Sequence, residues 1–286
     1  MESLGAGAVR ELLDKYGFRY SKAMGQNFLT DVNIPEKIVR LSGIDDKCGV
    51  LEIGPGMGAL TRALSSAAGS VAAVEIDARL LPILRETLSG VTNVEIIRGD
   101  ILKFDIAKLV CERMPGMCYH ACANLPYSIT SPALSALINS GVFETITVMV
   151  QREVAARIVA TPGTPEYGAY TVFVNYHTKP EILFDVSPEC FFPRPKVFSS
   201  VVRMDKRPEP LLGTDDELLF FRIVRAAFGQ RRKTLVNTLQ VSFGQSFDKE
   251  GLAGIVEDCG FDTRIRGETL CLEEFISLTL ALKNKY

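Results

Sequence analysis

Histidine is nearly missing from this chain of 286 residues: His120 and His177 are the only two. Neither sits in a pattern that suggests Ser-His-Asp or Cys-His chemistry, so mechanisms built on an activated serine or cysteine are poorly supplied. The seven cysteines (Cys48, Cys111, Cys118, Cys122, Cys190, Cys259 and Cys271) include no Cys-x-x-Cys pair. An odd count without a regular framework points to free thiols in a reducing compartment. Cys118, His120 and Cys122 stand at i, i+2 and i+4 with no fourth ligand in view. That spacing fits a core strand, and no metal is expected. No apolar run approaches the roughly 18 residues of a membrane span. Residues 1–10 lack the basic start and apolar run of a signal peptide, so a soluble cytoplasmic protein with no membrane partner is expected. A basic excess is missing too: 32 Lys and Arg stand against 34 Asp and Glu, a net charge of −2. Any nucleic-acid partner must therefore be met by local charge.

What is present is ordinary globular material, 47% hydrophobic and 23% charged, at a length that suits two domains. Residues 8–20 read as a short helix broken near Gly17. Asn33 precedes Ile34-Pro35, a helix start with proline near the first position, running to Leu41. Strand and helix then alternate. Strands are expected at Val50–Ile53, Ser70–Ile76, Val94–Ile97, 117–123 and Thr145–Val150. Helices are expected at Ala59–Ala68, Leu80–Leu88 and from Pro132. Such alternation implies parallel βαβ units with right-handed crossovers. Further strands are expected at Tyr170–Tyr176, Lys179–Val186 and Ser199–Met204. Arg207-Pro-Glu-Pro210 reads as a linker, and beyond it the periodicity is helical, at Glu217–Phe228, Lys233–Val241, Lys249–Cys259 and Glu273–Lys283.

Glu52-Ile-Gly54-Pro-Gly56-Met-Gly58 follows a strand and opens a helix. Glycines there let the backbone approach a ligand, and the helix start offers free N–H groups. Gly54-x-Gly56-x-x-Ala59 also fits a dinucleotide fingerprint, and Glu75, at the end of the second strand, suits a ribose. NAD and S-adenosylmethionine both remain open on these residues. Asp100, at the tip of the third strand, suits an adenine amino group or a helix N-cap. Asn124-Leu125-Pro126-Tyr127 closes the fourth strand. An exocyclic amine donates two hydrogen bonds, which the Asn124 side-chain oxygen and a main-chain carbonyl can accept, directing the nitrogen lone pair at an incoming methyl group. Pro126 stiffens the turn, and Tyr127 offers a face to a base lifted from its stack. A dehydrogenase has no need of this turn.

In ordered blocks from Lys22 to Lys233 the chain resembles the ribosomal RNA adenine N6-dimethyltransferases. The blocks are Gly25-Gln-Asn-Phe-Leu29, Glu52–Gly58, Glu75-Ile-Asp77, Gly99-Asp100, Asn124–Tyr127, Val150–Ala155, Phe191–Val197 and Phe228–Leu235. The resemblance implies an α/β, Rossmann-like class I S-adenosylmethionine methyltransferase with a small all-α C-terminal domain. The catalytic domain would span 1–207 and a helical RNA-binding domain 208–286. It implies that Asn27 and Leu29 belong to a loop over the cofactor, S-adenosylmethionine. Gly54, Glu75 and Asp100 would be its methionine-side, ribose and adenine contacts. Asn124 would touch both cofactor and target amine, Leu125 would share the catalytic turn, and Tyr127 and Phe191 would sandwich the base. Phe192, next in sequence, competes for the last role. The implied substrate is 16S rRNA in the small ribosomal subunit, dimethylated at two adjacent adenosines near its 3′ end by a monomeric enzyme.

RNA contact is expected from Arg222, Arg225, Arg231, Arg232 and Lys233, a stretch without an acid, with Arg194 and Lys196 beside the base pocket. Lys15, Arg19 and Lys22 form a second basic run. Gly25–Leu29 and the Tyr167-Gly168 loop favour the small-subunit branch over the large-subunit enzymes of macrolide resistance. A non-catalytic assembly factor with the same fold is the alternative from another class; intact Glu75, Asp100 and Asn124 count against it.

Overall fold

A computed structural model describes residues 5–20 and 25–285. In chain order the first half comprises α1 (Ala6–Lys15), β1 (Phe28–Leu29), α2 (Asn33–Ser42), β2 (Cys48–Ile53), α3 (Ala59–Ala67), β3 (Ser70–Glu75), α4 (Leu81–Thr87), β4 (Val94–Arg98), α5 (Ile106–Arg113), β5 (Cys118–Asn124), α6 (Thr130–Ser140) and β6 (Thr145–Gln151). The second half comprises α7 (Arg152–Ile158), α8 (Ala169–His177), β7 (Thr178–Val186), β8 (Phe191–Phe192), β9 (Ser199–Lys206), α9 (Thr214–Gly229), α10 (Leu235–Phe243), α11 (Lys249–Asp258) and α12 (Leu272–Lys283).

The main sheet has the order β4-β3-β2-β5-β6-β9-β7. Pairings among β2 to β6 are parallel, and β9 lies antiparallel to β6. Every residue of β2 is buried, as a central strand covered on both faces requires, whereas in β4, at the edge, no residue is fully buried. The chain winds outward from β2 through β3 to β4, then returns to begin β5 on the other side of β2. That reversal leaves a crevice above the carboxyl ends of β2 and β5.

The described residues fall into two compact units, one running through Ala155 and including Glu181–Lys206, the other holding Ala156–Pro180 and everything from Arg207 on. The second unit is thus larger than the 208–286 stretch read from the sequence. Residues 156–180 join it because Tyr167, Val172 and Tyr176 are buried in the same core as Phe220, Leu239 and Phe275. The expected strand Tyr170–Tyr176 is instead the body of helix α8. Its β-branched and aromatic residues favour a strand locally, but packing decides: Tyr176 lies 4.7 Å from the Phe220 ring and Phe173 5.9 Å from Phe221. The Gly168 N–H donates to Thr171 Oγ1, and that hydroxyl donates to the Arg157 carbonyl, fixing the helix start. Arg207 is pinned as well: its main-chain N–H donates to the His177 carbonyl and its Nε to that of Asn175.

Candidate active site

The glycine loop between β2 and α3 lines a cavity of about 270 Å³ in the first unit. Gly56 has φ +60, and a Cβ there would come within 3.1 Å of the Phe28 ring. Only glycine takes this conformation without strain while Phe28 roofs the loop. Helix α3 follows with no side chain capping its start, so its first N–H groups are available to a negatively charged ligand group.

Around this loop the sheet delivers the predicted side chains. Gly54, Glu75, Asp100, Asn124, Leu125 and Tyr127 all line the cavity, together with Asn27 and Leu29. Glu75, only 4% exposed, accepts the Gly56 N–H at 3.3 Å and the Asp77 N–H at 2.8 Å. Burial pushes its carboxyl above the ordinary range, against the pull of those two N–H donors. Asp100 caps the turn after β4 through Leu102 N–H at 3.1 Å. The N-cap and cavity-lining readings of Asp100 therefore hold together, because one carboxylate has acceptor sites for both.

Asn124 ends β5 and its amide lies 3.3 Å from the Asn27 carbonyl oxygen. A carbonyl only accepts, so the amide must present Nδ2 to it; Oδ1 is left as the acceptor. Leu125 follows with its side chain 1% exposed and its N–H bonded to the Met149 carbonyl. Tyr127 then turns its hydroxyl onto Ser199 Oγ at 2.8 Å, which fixes the ring; burial raises its pKa and keeps the hydroxyl protonated.

Phe191 is placed elsewhere. It pairs with Leu29 across the short β1–β8 ladder and is buried in the core with Ile38, Val186 and Val201. Phe192 lies across from Phe28, edge-on to Tyr20 and under Arg10 at 4.9 Å. Neither ring lines the cavity. Arg194 and Lys196 are exposed on the loop before β9, with Arg194 paired to Glu189 at 3.2 Å. In the second unit Arg222 and Arg225 line a shallow cavity between α9 and α10, and the Arg222 guanidinium lies over the Phe243 ring, 4.2 Å from its centroid. Arg231, Arg232 and Lys233 are exposed in the turn between those helices. Lys15 is bound to Glu86 at 2.6 Å, which neutralises part of the expected second basic run, and Lys22 lies outside the described residues.

Several cavity residues carried no assigned role in the sequence. Ile76 is 56% exposed and Leu102 42% exposed, and both line the cavity. The signal available was position: each is a large aliphatic one or two residues beyond a strand-end acid. Glu52 is 1% exposed, and its Oε2 has no hydrogen-bond partner. Burial, with Glu75 nearby, pushes its carboxyl up to about 8.

A sheet whose ligand cavity opens at the switch point of five parallel strands, with an antiparallel β9 seated between β6 and β7, defines a Rossmann-like α/β methyltransferase fold. The chain belongs to the ribosomal RNA adenine dimethylase family, whose model matches residues 17–275. It is 44% identical over 282 residues to ribosomal RNA small subunit methyltransferase A of Geobacillus sp. (strain WCH70), covering 97% of each chain. The protein of that name from Alkaliphilus oremlandii (strain OhILAs) is 43% identical over 278 residues, covering 97% of this chain and 96% of its own. Among solved structures, a dimethyladenosine transferase from Plasmodium falciparum superposes with TM-score 0.76 at 27% identity, over 90% of this chain and 98% of the other. The 23S rRNA methyltransferase ErmE gives 0.71 at 27% identity, over 90% and 99%.

Proposed function

We propose that this protein transfers methyl groups from S-adenosylmethionine to N6 of two adjacent adenosines near the 3′ end of 16S rRNA, during small-subunit biogenesis. The observation that carries the reading is the Asn124–Tyr127 turn: it lines the same cavity as Gly54, Glu75 and Asp100. Family membership and near-full-length similarity to small-subunit enzymes supply the substrate.

The residues present suit the cofactor. Glu75 offers carboxylate oxygens to ribose hydroxyls, Ile76 and Leu102 offer apolar walls to an adenine ring, and Asp100 offers an acceptor to its amino group. The uncapped start of α3 suits the methionine carboxylate. When bound, S-adenosylmethionine supplies a methyl group on a sulfonium centre that is already electrophilic. The chain's own task is then placement. Asn124 Oδ1 accepts from the target amine, orients its lone pair, and stabilises the positive charge that develops on nitrogen. Tyr127, its ring fixed by Ser199, offers one face to the extruded base. The methylated amine is acidic enough to lose its proton to water, so no strong base is required.

RNA grip is assigned to Arg222, Arg225, Arg231, Arg232 and Lys233 on the helical unit, and to Arg194 and Lys196 on the catalytic one. We take the acting form to be a monomer in the cytoplasm. Among the described residues no helix is long and apolar enough to cross a membrane.

Two assays test this. Calorimetry should show S-adenosylhomocysteine binding that Glu75→Ala weakens by about tenfold or more, the loss of a buried charge-assisted hydrogen bond. Labelled methyl transfer should mark immature small subunits and leave large subunits and DNA unmarked. Labelling of large subunits instead would favour the activity named for ErmE.

A further inference from the structure

A residue outside the cavity ties its two ends together. Asp77, 5% exposed, follows the strand β3 that delivers Glu75. Its main-chain N–H donates to Glu75 Oε1 at 2.8 Å. Its carboxylate accepts from Gln26 Nε2 at 2.9 Å and from Arg79 Nη2 at 2.6 Å and Nε at 2.9 Å. Arg79 is itself steadied, its guanidinium over the Phe18 ring at 4.8 Å and donating to the Arg19 carbonyl at 3.4 Å. Gln26 is flanked by the two residues that meet the target turn. Asn27 gives its carbonyl to the Asn124 amide, and Gly25 packs so closely that a Cβ would lie 3.1 Å from the Tyr127 nitrogen.

We infer that Asp77 is a positioning residue for methyl transfer: by holding Gln26 it fixes the Gly25–Asn27 segment, whose Asn27 carbonyl orients the Asn124 amide toward the target amine. A continuous path of hydrogen bonds and two covalent steps runs from the ribose carboxylate to the catalytic asparagine. Its geometry explains why an acid sits buried at residue 77 although it does not line the cavity. A carboxylate accepts from both the Arg79 fork and the Gln26 amide at once. An asparagine would turn one N–H2 group toward another donor and lose one of them. The inference rests on the proposed reaction for its kinetic arm alone.

The test uses the full-length protein and two variants that leave the cavity lining intact, Asp77→Asn and Arg79→Lys. First, the side-chain amide resonances of Asn124 are identified by their disappearance in Asn124→Ala. In the wild type with bound S-adenosylhomocysteine they should be displaced from free-asparagine positions. In Asp77→Asn they should return toward them, and in Arg79→Lys go part of the way. Second, methyl transfer to small subunits at saturating S-adenosylmethionine should fall in kcat by about tenfold or more for Asp77→Asn, as for a small misplacement of a catalytic group. Arg79→Lys, which keeps the charge and loses the fork, should fall less. Unmoved Asn124 resonances in both variants overturn the inference, as does an effect confined to the cofactor KM with kcat unchanged. If the wild-type protein labels no RNA, the proposed reaction fails, and the resonance arm still decides the role of Asp77.

Discussion

In the proposed reaction the chemistry concentrates at one amide, that of Asn124. Its nitrogen is committed to the Asn27 carbonyl, which leaves its oxygen as the acceptor offered to the target amine. Asn124→Ala should lower kcat for methyl transfer by about a hundredfold, the scale for removing a preorganised transition-state acceptor. Affinity for S-adenosylhomocysteine, measured calorimetrically, should change far less. Glu52 makes a different prediction. Its folded value is about 8 against an ordinary 4.5, so the folded state holds a proton that the unfolded state releases. Stability linked to this group is full below the ordinary value and is lost as pH rises toward 8, then stays level. Glu52→Gln removes the titration. The variant's stability relative to wild type should rise between pH 5 and pH 8 in denaturant melts of the ligand-free protein. A difference that is the same at every pH would contradict the assignment.

Elements place these residues, and here the sequence was unevenly legible. The parallel strands announce themselves as short apolar runs, and the acids at their ends follow from that. Gly54, Glu75, Asp100 and Asn124 could be located because each closes or follows a strand, and all four line one cavity. The α8 helix was not legible. Thr171, Val172, Val174 and Tyr176 favour a strand locally, and only their burial among the aromatic rings of the second unit makes the helix win. Asp77 and Gln26 were hidden for a related reason: their partnership spans 51 positions in sequence, which no local pattern encodes. Phe191 looked like a base-facing ring by motif position, yet the β1–β8 ladder turns it into the core with Leu29. The segment before β1 supplies its own test. Gly25 has φ +65 and abuts the Tyr127 backbone, so Gly25→Ala should cost about 1–2 kcal/mol in stability from the left-handed conformation alone. By displacing Asn27 it should also reduce methyl transfer by more than that stability loss explains; a variant with normal kcat would show that the close packing is dispensable.

At the scale of the whole molecule the charge is −2, and RNA affinity must come from where the cations lie. Three exposed cations, Arg231, Arg232 and Lys233, occupy the α9–α10 turn of the helical unit. Binding to small subunits should weaken steeply with salt. Replacing the three with alanine should reduce the slope of log K against log salt by roughly 2 to 3, about one counterion or slightly less for each phosphate that is no longer neutralised. An unchanged slope would move the RNA grip elsewhere on the surface. The similarity to the Geobacillus relative covers 97% of the chain, so both units are matched together. Methyl transfer to 16S rRNA is tested by a nucleoside digest of immature small subunits after incubation with the protein and S-adenosylmethionine. N6,N6-dimethyladenosine should form in 16S rRNA, be absent from large-subunit RNA and be abolished by Asn124→Ala. Cofactor binding without any methylated adenosine, or the modification surviving in Asn124→Ala, would contradict it.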